Sequence, residues 1–171
     1  MNPTTTETQE QSHIQGPTCL PLELRSCPVL VLGRLGYSLK RRAIEELEAA
    51  GSSLYDFSVM AVLAEGACGG QSSIADVLQL DRSQLVGLLD GLEERGLVER
   101  RRDPSDRRRH TVTLTAAGAR ELERVRTLVE RIQEEFLAPL DKASREQLFE
   151  LLSRLARYHD ARFAPAEDAA A

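Results

Sequence analysis

Residues 71–115, QSSIADVLQLDRSQLVGLLDGLEERGLVERRRDPSDRRRHTVTLT, decide the fold. Ser72 precedes Ile74, Ala75, Val77 and Leu78, whose spacing predicts a short helix with one buried face. Ala75 is small, which lets a second helix cross closely behind it. Asp81 restarts a helix as its N-cap, with Gln84 three residues on in the position of a capping box. Leu85, Leu88, Leu89 and Leu92 recur at steps of three and four and form one apolar stripe. Arg82, Ser83, Gln84, Val86, Gly87 and Asp90 fall outside that stripe. Gly96 ends the helix, where left-handed backbone is wanted. Residues 97–100 and 111–114 alternate as half-buried strands, with Pro104 and Ser105 turning the chain between them. The order helix, turn, helix, strand, basic loop, strand is that of a winged helix-turn-helix, with residues 103–110 as the wing. Such a module puts a helix into a DNA groove.

The charge distribution points the same way. The 171 residues carry a formal net charge of −5, which taken alone argues against a nucleic-acid partner. Residues 95–110, however, hold arginines at 95, 100, 101, 102, 107, 108 and 109 against Glu99, Asp103 and Asp106, a local +4 on a remainder of −9. A basic tip on an acidic body is the footprint of a module that touches DNA with one end; the alternative is a merely solvated charge run. The length suits one ordinary domain with a real core. No apolar run approaches a membrane span, and residues 1–16 lack the basic start and apolar centre of a signal peptide, so a cytoplasmic location is expected. Cys19, Cys27 and Cys68 are odd in number and in no metal-ligand spacing, which fits a reducing compartment. Neither a metal nor a cofactor is expected.

Working outward, residues 1–27 are too polar to order themselves and read as a tail. Pro28 suits a first helical position, and Leu32, Leu35, Ala43 and Leu47 give a helix face running to Gly51. Ser53 caps a second helix through Phe57, Met60 and Leu63. After the wing, Leu122, Val125, Val129, Ile132 and Phe136 alternate spacings of three and four, a coiled-coil seam. Pro139 stops that helix. Ser144 and Gln147 stand as a further capping box, and Leu148, Leu151, Leu155 and Tyr158 carry a last helix to about residue 162. Helices on both flanks of the winged region, each with an apolar stripe, call for a partner surface, either a second subunit or the chain's own body.

At residues 71–118 the chain resembles the MarR family of bacterial transcription regulators. The family's wing pattern of Asp, a spacer, Arg, five residues and Leu-Thr stands here as Asp106, Arg108, Leu114 and Thr115, followed by Gly118 in LTAAG and preceded by LEERGLVER. The likeness is weaker over 28–67 and 119–163. It implies a mainly α fold with a small two-stranded wing, a winged helix-turn-helix with N- and C-terminal dimerisation helices. The implied domain covers 28–163, with the winged lobe at 52–118, dimerisation helices at 28–51 and 119–163, and a frayed end at 164–171. It further implies a homodimeric, sequence-specific repressor on a palindromic double-stranded operator, released by a small aromatic or phenolic ligand. The resemblance assigns Leu122, Val125, Val129, Ile132, Phe136, Leu151 and Leu155 to dimerisation. It also implies that Asp106 ties down Arg108 at the base of the wing, leaving Arg107 and Arg109 for DNA. Val86, Gly87, Gly91 and Arg109 depart from the family pattern and leave the base-reading surface bare.

The DNA-contacting candidates follow from role. Arg82, Ser83 and Gln84 occupy the first turn of the second helix, where free backbone N–H groups suit a phosphate. Gln84 either pairs bidentately with adenine or serves only as the capping partner of Asp81, and Val86 is placed for a thymine methyl. Arg107, Arg108 and Arg109 would place guanidinium groups at phosphates or in a minor groove. No enzyme constellation is present: Gly66, Gly69 and Gly70 match no phosphate loop, and His13, His110 and His159 stand far apart. Cys27, at the start of the first helix, is either a redox-sensing thiol favoured by the helix dipole or a small apolar cap. A protein–protein role for the basic wing is the remaining alternative.

Overall fold

The computed structural model describes residues 19–66, 71–102 and 110–164. The chain divides after Ser38 into two compact units. In the first, Pro21 presets the entry to a single helical turn, α1 (Leu22–Arg25), which the Ser26 hydroxyl closes by donating to the Leu22 carbonyl at 2.8 Å. Of the expected tail, 1–18 lie outside the described residues, and this turn replaces coil at its end. The helix α2 (Pro28–Ala49) opens on Cys27, whose carbonyl accepts from the Val31 N–H at 3.1 Å. Val29, Leu30, Leu32, Leu35 and Tyr37 along its first half are exposed.

The second unit takes in the rest of α2, then α3 (Leu54–Ala64), α4 (Gln71–Leu78), α5 (Arg82–Glu94), β1 (Val98–Arg102), β2 (His110–Leu114), α6 (Ala116–Phe136) and α7 (Lys142–His159), closed by a 3₁₀ turn at Ala161–Phe163. Glycine sets two of the helix ends. Gly51 (φ 74°) and Gly96 (φ 68°) adopt left-handed backbone, so Ser52 N–H reaches Leu47 O and Leu97 N–H reaches Leu92 O, both at 2.9 Å. This is the Schellman closure, and Leu47 and Leu92, which accept those bonds, are fully buried. The α4–α5 turn uses the same device with Leu80 N–H on Ala75 O at 3.0 Å, but its left-handed residue is Gln79 (φ 51°).

The helix starts are capped by side chains. Ser53 accepts from Asp56 N–H, Asp81 from Gln84 N–H and Thr115 from Gly118 N–H. For α7 the cap is Asp141, which accepts from Ser144 N–H at 2.8 Å, so Ser144 lies one turn inside rather than at the cap. Asp141 wins because its carboxylate is the stronger acceptor for free helix N–H groups. The preceding helix α6 ends at Phe136, three residues before Pro139.

The two strands pair antiparallel, Val98 with Leu114, Arg100 with Val112 and Arg102 with His110. One face of this hairpin packs on the helices. Val59 and Met60 of α3, Ile74 of α4, Leu85, Leu89 and Leu92 of α5, Leu97, Val98, Val112 and Leu122 form one buried cluster. The stripe on α6 is mostly closed inside the chain: Leu122, Val125 and Ile132 are buried, while Val129 and Phe136 are half-buried. Toward its start α6 packs on α3, where Leu122 joins Val59 and Met60 in the core. The end of α2 is fastened to α6 by a closed ring of charges. Arg42 bonds both Glu46 and Glu135, and Arg131 reaches Glu46 at 2.6 Å and Glu135 at 3.4 Å. By contrast α7 buries no residue, and Phe149, Leu151, Leu155 and Tyr158 stand exposed along it. Among the described residues no helix is long and apolar enough to cross a membrane.

Candidate nucleic-acid interface

Leu85, Leu89 and Leu92 hold α5 to the core and thereby fix which face points away. Arg82, Ser83, Gln84, Val86, Gly87 and Asp90 are all exposed on that outward side, as the apolar stripe predicts. The first turn is organised around Asp81. Its carboxylate accepts from the Gln84 N–H at 2.8 Å and from the Ser83 hydroxyl at 2.5 Å. Those two bonds, the hydroxyl's first, hold the Asp81 carboxyl below the usual carboxylate range. Ser83 therefore serves, while exposed, as a second prop of the cap. Among the described residues the side chains of Arg82 and Gln84 make no hydrogen bond, so both stand ready for a ligand. A cleft of about 310 Å³ lined by Tyr55, Leu80, Gln84, Gly87 and Leu88 runs beside them.

Not every arginine of the basic stretch faces outward. Arg95, just past the end of α5, donates to Asp56 Oδ2 at 2.8 Å and to the Gly51 carbonyl at 3.2 Å, and stands 3.8 Å from Glu121. Arg124 continues this cluster, bonding Glu121 at 2.7 Å and the Ala50 carbonyl at 2.9 Å. Together they bolt the α2–α3 corner to α5 and α6. Arg100 lies on β1 but folds back along α5, 2.6 Å from Asp90. Arg101 is exposed and, among the described residues, pairs with its strand neighbour Glu99 at 2.9 Å. The inward turn of Arg100 was legible in the strand period: it shares a face with the buried Val98, two residues before it. Arg95 had no such signal, because its partners are 39 and 26 positions away in sequence.

Asp106, Arg107, Arg108 and Arg109 lie outside the described residues. Leu151 and Leu155 are exposed on α7, away from the buried stripe of α6. Cys27 is a free, half-buried thiol preceding the first turn of α2.

A three-helix body, a two-stranded hairpin and an outward helix whose start is capped by Asp81 define a winged helix-turn-helix. The comparisons with known proteins give the family. The model of the MarR family matches residues 53–110. The chain is 35% identical over 135 residues, covering 73% of this chain and 80% of the other, to a Thauera aromatica protein assigned to regulation of the hcr operon. Two solved structures of the repressor CouR are also similar. One, bound to a 23-mer DNA duplex, is 31% identical with a TM-score of 0.69, covering 82% of this chain and 100% of that one. The other, from Rhodococcus jostii RHA1 with p-coumaroyl-CoA, is 31% identical with a TM-score of 0.63, covering 78% and 94%. The chain belongs to the MarR family of transcription regulators.

Proposed function

We propose that the protein is a homodimeric repressor that binds a palindromic operator through α5 and the wing and is released by a small ligand. The observation that carries this reading is the exposed pair Arg82 and Gln84, without hydrogen bonds among the described residues, on the first turn of an outward helix beside the hairpin. Free N–H groups and a guanidinium suit a phosphate, and a Gln amide suits an adenine edge. CouR, similar over the whole of its own length, is a repressor bound to duplex DNA. The chain acts as a regulator and not as an enzyme. A second copy is called for by exposed Leu151, Leu155 and Tyr158 on α7 and by Val29, Leu32 and Leu35 on α2, since apolar faces of this kind favour a partner. Of the positions expected at the dimer contact, Leu151 and Leu155 are the exposed ones, whereas Leu122, Val125 and Ile132 are buried within the single chain.

The ligand reading is supported by a cleft of about 330 Å³ between α2 and α3, lined by Lys40, Ile44, Glu48, Ser53, Leu54, Tyr55 and Ser58. Its lining suits a one-ring aromatic ligand, with Lys40 a counter-charge for an acid group and Glu48 an acceptor for a phenolic hydroxyl, and its volume is at the small end of ligand sites. Selection of duplexes from a random pool, followed by titration with and without aromatic acids, tests the whole reading. The expected result is an inverted repeat whose complex dissociates as the acid is added. Selection that enriches no sequence overturns it in favour of a protein-contact role for the wing.

A further inference from the structure

Arg100 is paired with Val112 in the hairpin, yet its side chain engages three positions along α5. Its Nη2 lies 2.6 Å from Asp90 Oδ1 and donates to the Val86 carbonyl at 3.3 Å. Its Nε stands 3.6 Å from Glu93 Oε2, and its backbone N–H donates to Glu93 Oε1 at 3.3 Å. The side chain is only 20% exposed, so these contacts, rather than solvent, define its position. Val86, Asp90 and Glu93 bracket Gly87 and Gly91, the two residues that most weaken a helix interior.

We propose that Arg100 is a positioning residue for operator recognition. It fastens the glycine-bearing half of α5 to β1, so that the reading face of the helix keeps one geometry relative to the paired strands. The role rests on the reading of α5 as the recognition helix. A planar guanidinium offers several donors in a fixed fork and can hold Asp90 and the Val86 carbonyl together. An ammonium in its place neutralises a carboxylate but fixes no such geometry. Asp90 and Glu93 are 50% and 42% exposed, and the same fork offsets two negative charges on a helix that approaches a polyanion.

The test compares wild type, Arg100→Lys, Asp90→Asn and Arg100→Lys/Gly91→Ala on the selected operator and a scrambled duplex, across several salt concentrations, with thermal melts alongside. Arg100→Lys is expected to lose on the order of tenfold on the operator, the scale of one misplaced base contact. It should leave scrambled-duplex affinity and the salt slope unchanged. Asp90→Asn, which removes the partner rather than the fork, should also lower the operator-to-scrambled ratio. A Cβ on Gly91 meets nothing within 4 Å, so Gly91→Ala stiffens the helix without a clash and should recover part of the operator loss. Equal losses on both duplexes with a slope flattened by about 0.9 would make Arg100 a phosphate contact and overturn the proposal. So would an unchanged ratio in both Arg100→Lys and Asp90→Asn. A wild type that binds neither duplex overturns the DNA reading itself, and this role with it.

Discussion

A Cβ placed on Gly118 would stand 1.9 Å from the carbonyl oxygen of Leu97 and 2.9 Å from its carbon. The first turn of α6 therefore lies directly on the chain entering β1. Thr115 holds it there, donating through Oγ1 to the Gly96 carbonyl at 2.8 Å while its backbone N–H donates to Leu97 at 3.0 Å. The obstacle is main chain, so no rotamer change relieves it. Gly118→Ala is expected to destabilise the fold by about 2–3 kcal/mol, at the upper end of overpacking costs. Urea unfolding should show a lower midpoint with the same slope, and an unchanged midpoint would sink the prediction.

Gln79 offers the opposite opportunity. It holds φ 51° in the turn between α4 and α5, a conformation that costs an L-residue about 1–2 kcal/mol. Gln79→Gly removes that strain and gives back part of the gain as unfolded-state entropy. A net stabilisation of about 0.5–1 kcal/mol is expected from these opposing terms, read as a higher melting temperature. A melt below wild type would show that the Gln79 side chain contributes more than its backbone strain costs.

These two positions show how far the sequence could be read. The helix ends at Gly51 and Gly96, the Asp81 cap and the Leu85–Leu89–Leu92 stripe are local signals, and each is where the spacing puts it. Gln79 was invisible because a non-glycine carries no mark of left-handed backbone. Gly118 was recognised only as part of a motif, because its reason is a contact with Leu97, twenty-one positions earlier. The α6 stripe was visible, but its partner was not. Periodicity reports that a face is buried without saying by which surface, and here Leu122, Val125 and Ile132 close within the chain. On the reading surface, the exposed positions of α5 were legible, whereas the engagement of Ser83 with Asp81 was not, because it depends on a side-chain bond that spacing does not report.

The division between buried α6 and exposed α7 separates two kinds of variant. Val125 is fully buried, and Val125→Asp should unfold the subunit, because a charge without a partner in the core is costly. Leu155 is 51% exposed in the single chain, so Leu155→Asp should keep the winged region folded while weakening association. Sedimentation at micromolar concentration, with circular dichroism on the same samples, distinguishes the two. A wild type that sediments only as a 19.0 kDa species would remove the dimer from the proposed function.

Acid should loosen the protein through its engaged carboxylates. The Arg42 guanidinium lowers Glu46, the Arg124 guanidinium lowers Glu121, and the Ser144 N–H lowers Asp141. Because the folded values are depressed, the stabilisation is fully present above the unfolded carboxylate values of about 4. It is lost as pH falls through the folded ones. Melting temperature should be level near neutrality and drop below about pH 4. Glu46→Gln should shrink that acid-side drop, since Gln does not titrate; an acid limb identical to wild type would exclude Glu46 from it.

The last prediction concerns how affinity is shared between the helix and the wing. Asp81 already occupies the Gln84 N–H and the Ser83 hydroxyl, so the first turn of α5 offers a phosphate fewer free donors than an uncapped helix would. Arg82 remains as its cation, and Gln84 as its base reader. Removing one cation from a phosphate should flatten the log–log salt slope by about 0.9. Arg82→Ala, and in the wing Arg107→Ala and Arg109→Ala, should therefore weaken operator and scrambled duplex by similar factors while flattening the slope. Gln84→Ala should spare the scrambled duplex and cost about 1–3 kcal/mol on the operator. Ser83→Ala should behave differently again: it removes a prop of the Asp81 cap and should lower the melting temperature with little change in the slope. Titrations at several salt concentrations read all five variants together. If Gln84→Ala weakens both duplexes equally, α5 reads no base at that position, and sequence preference must come from the shape of the duplex.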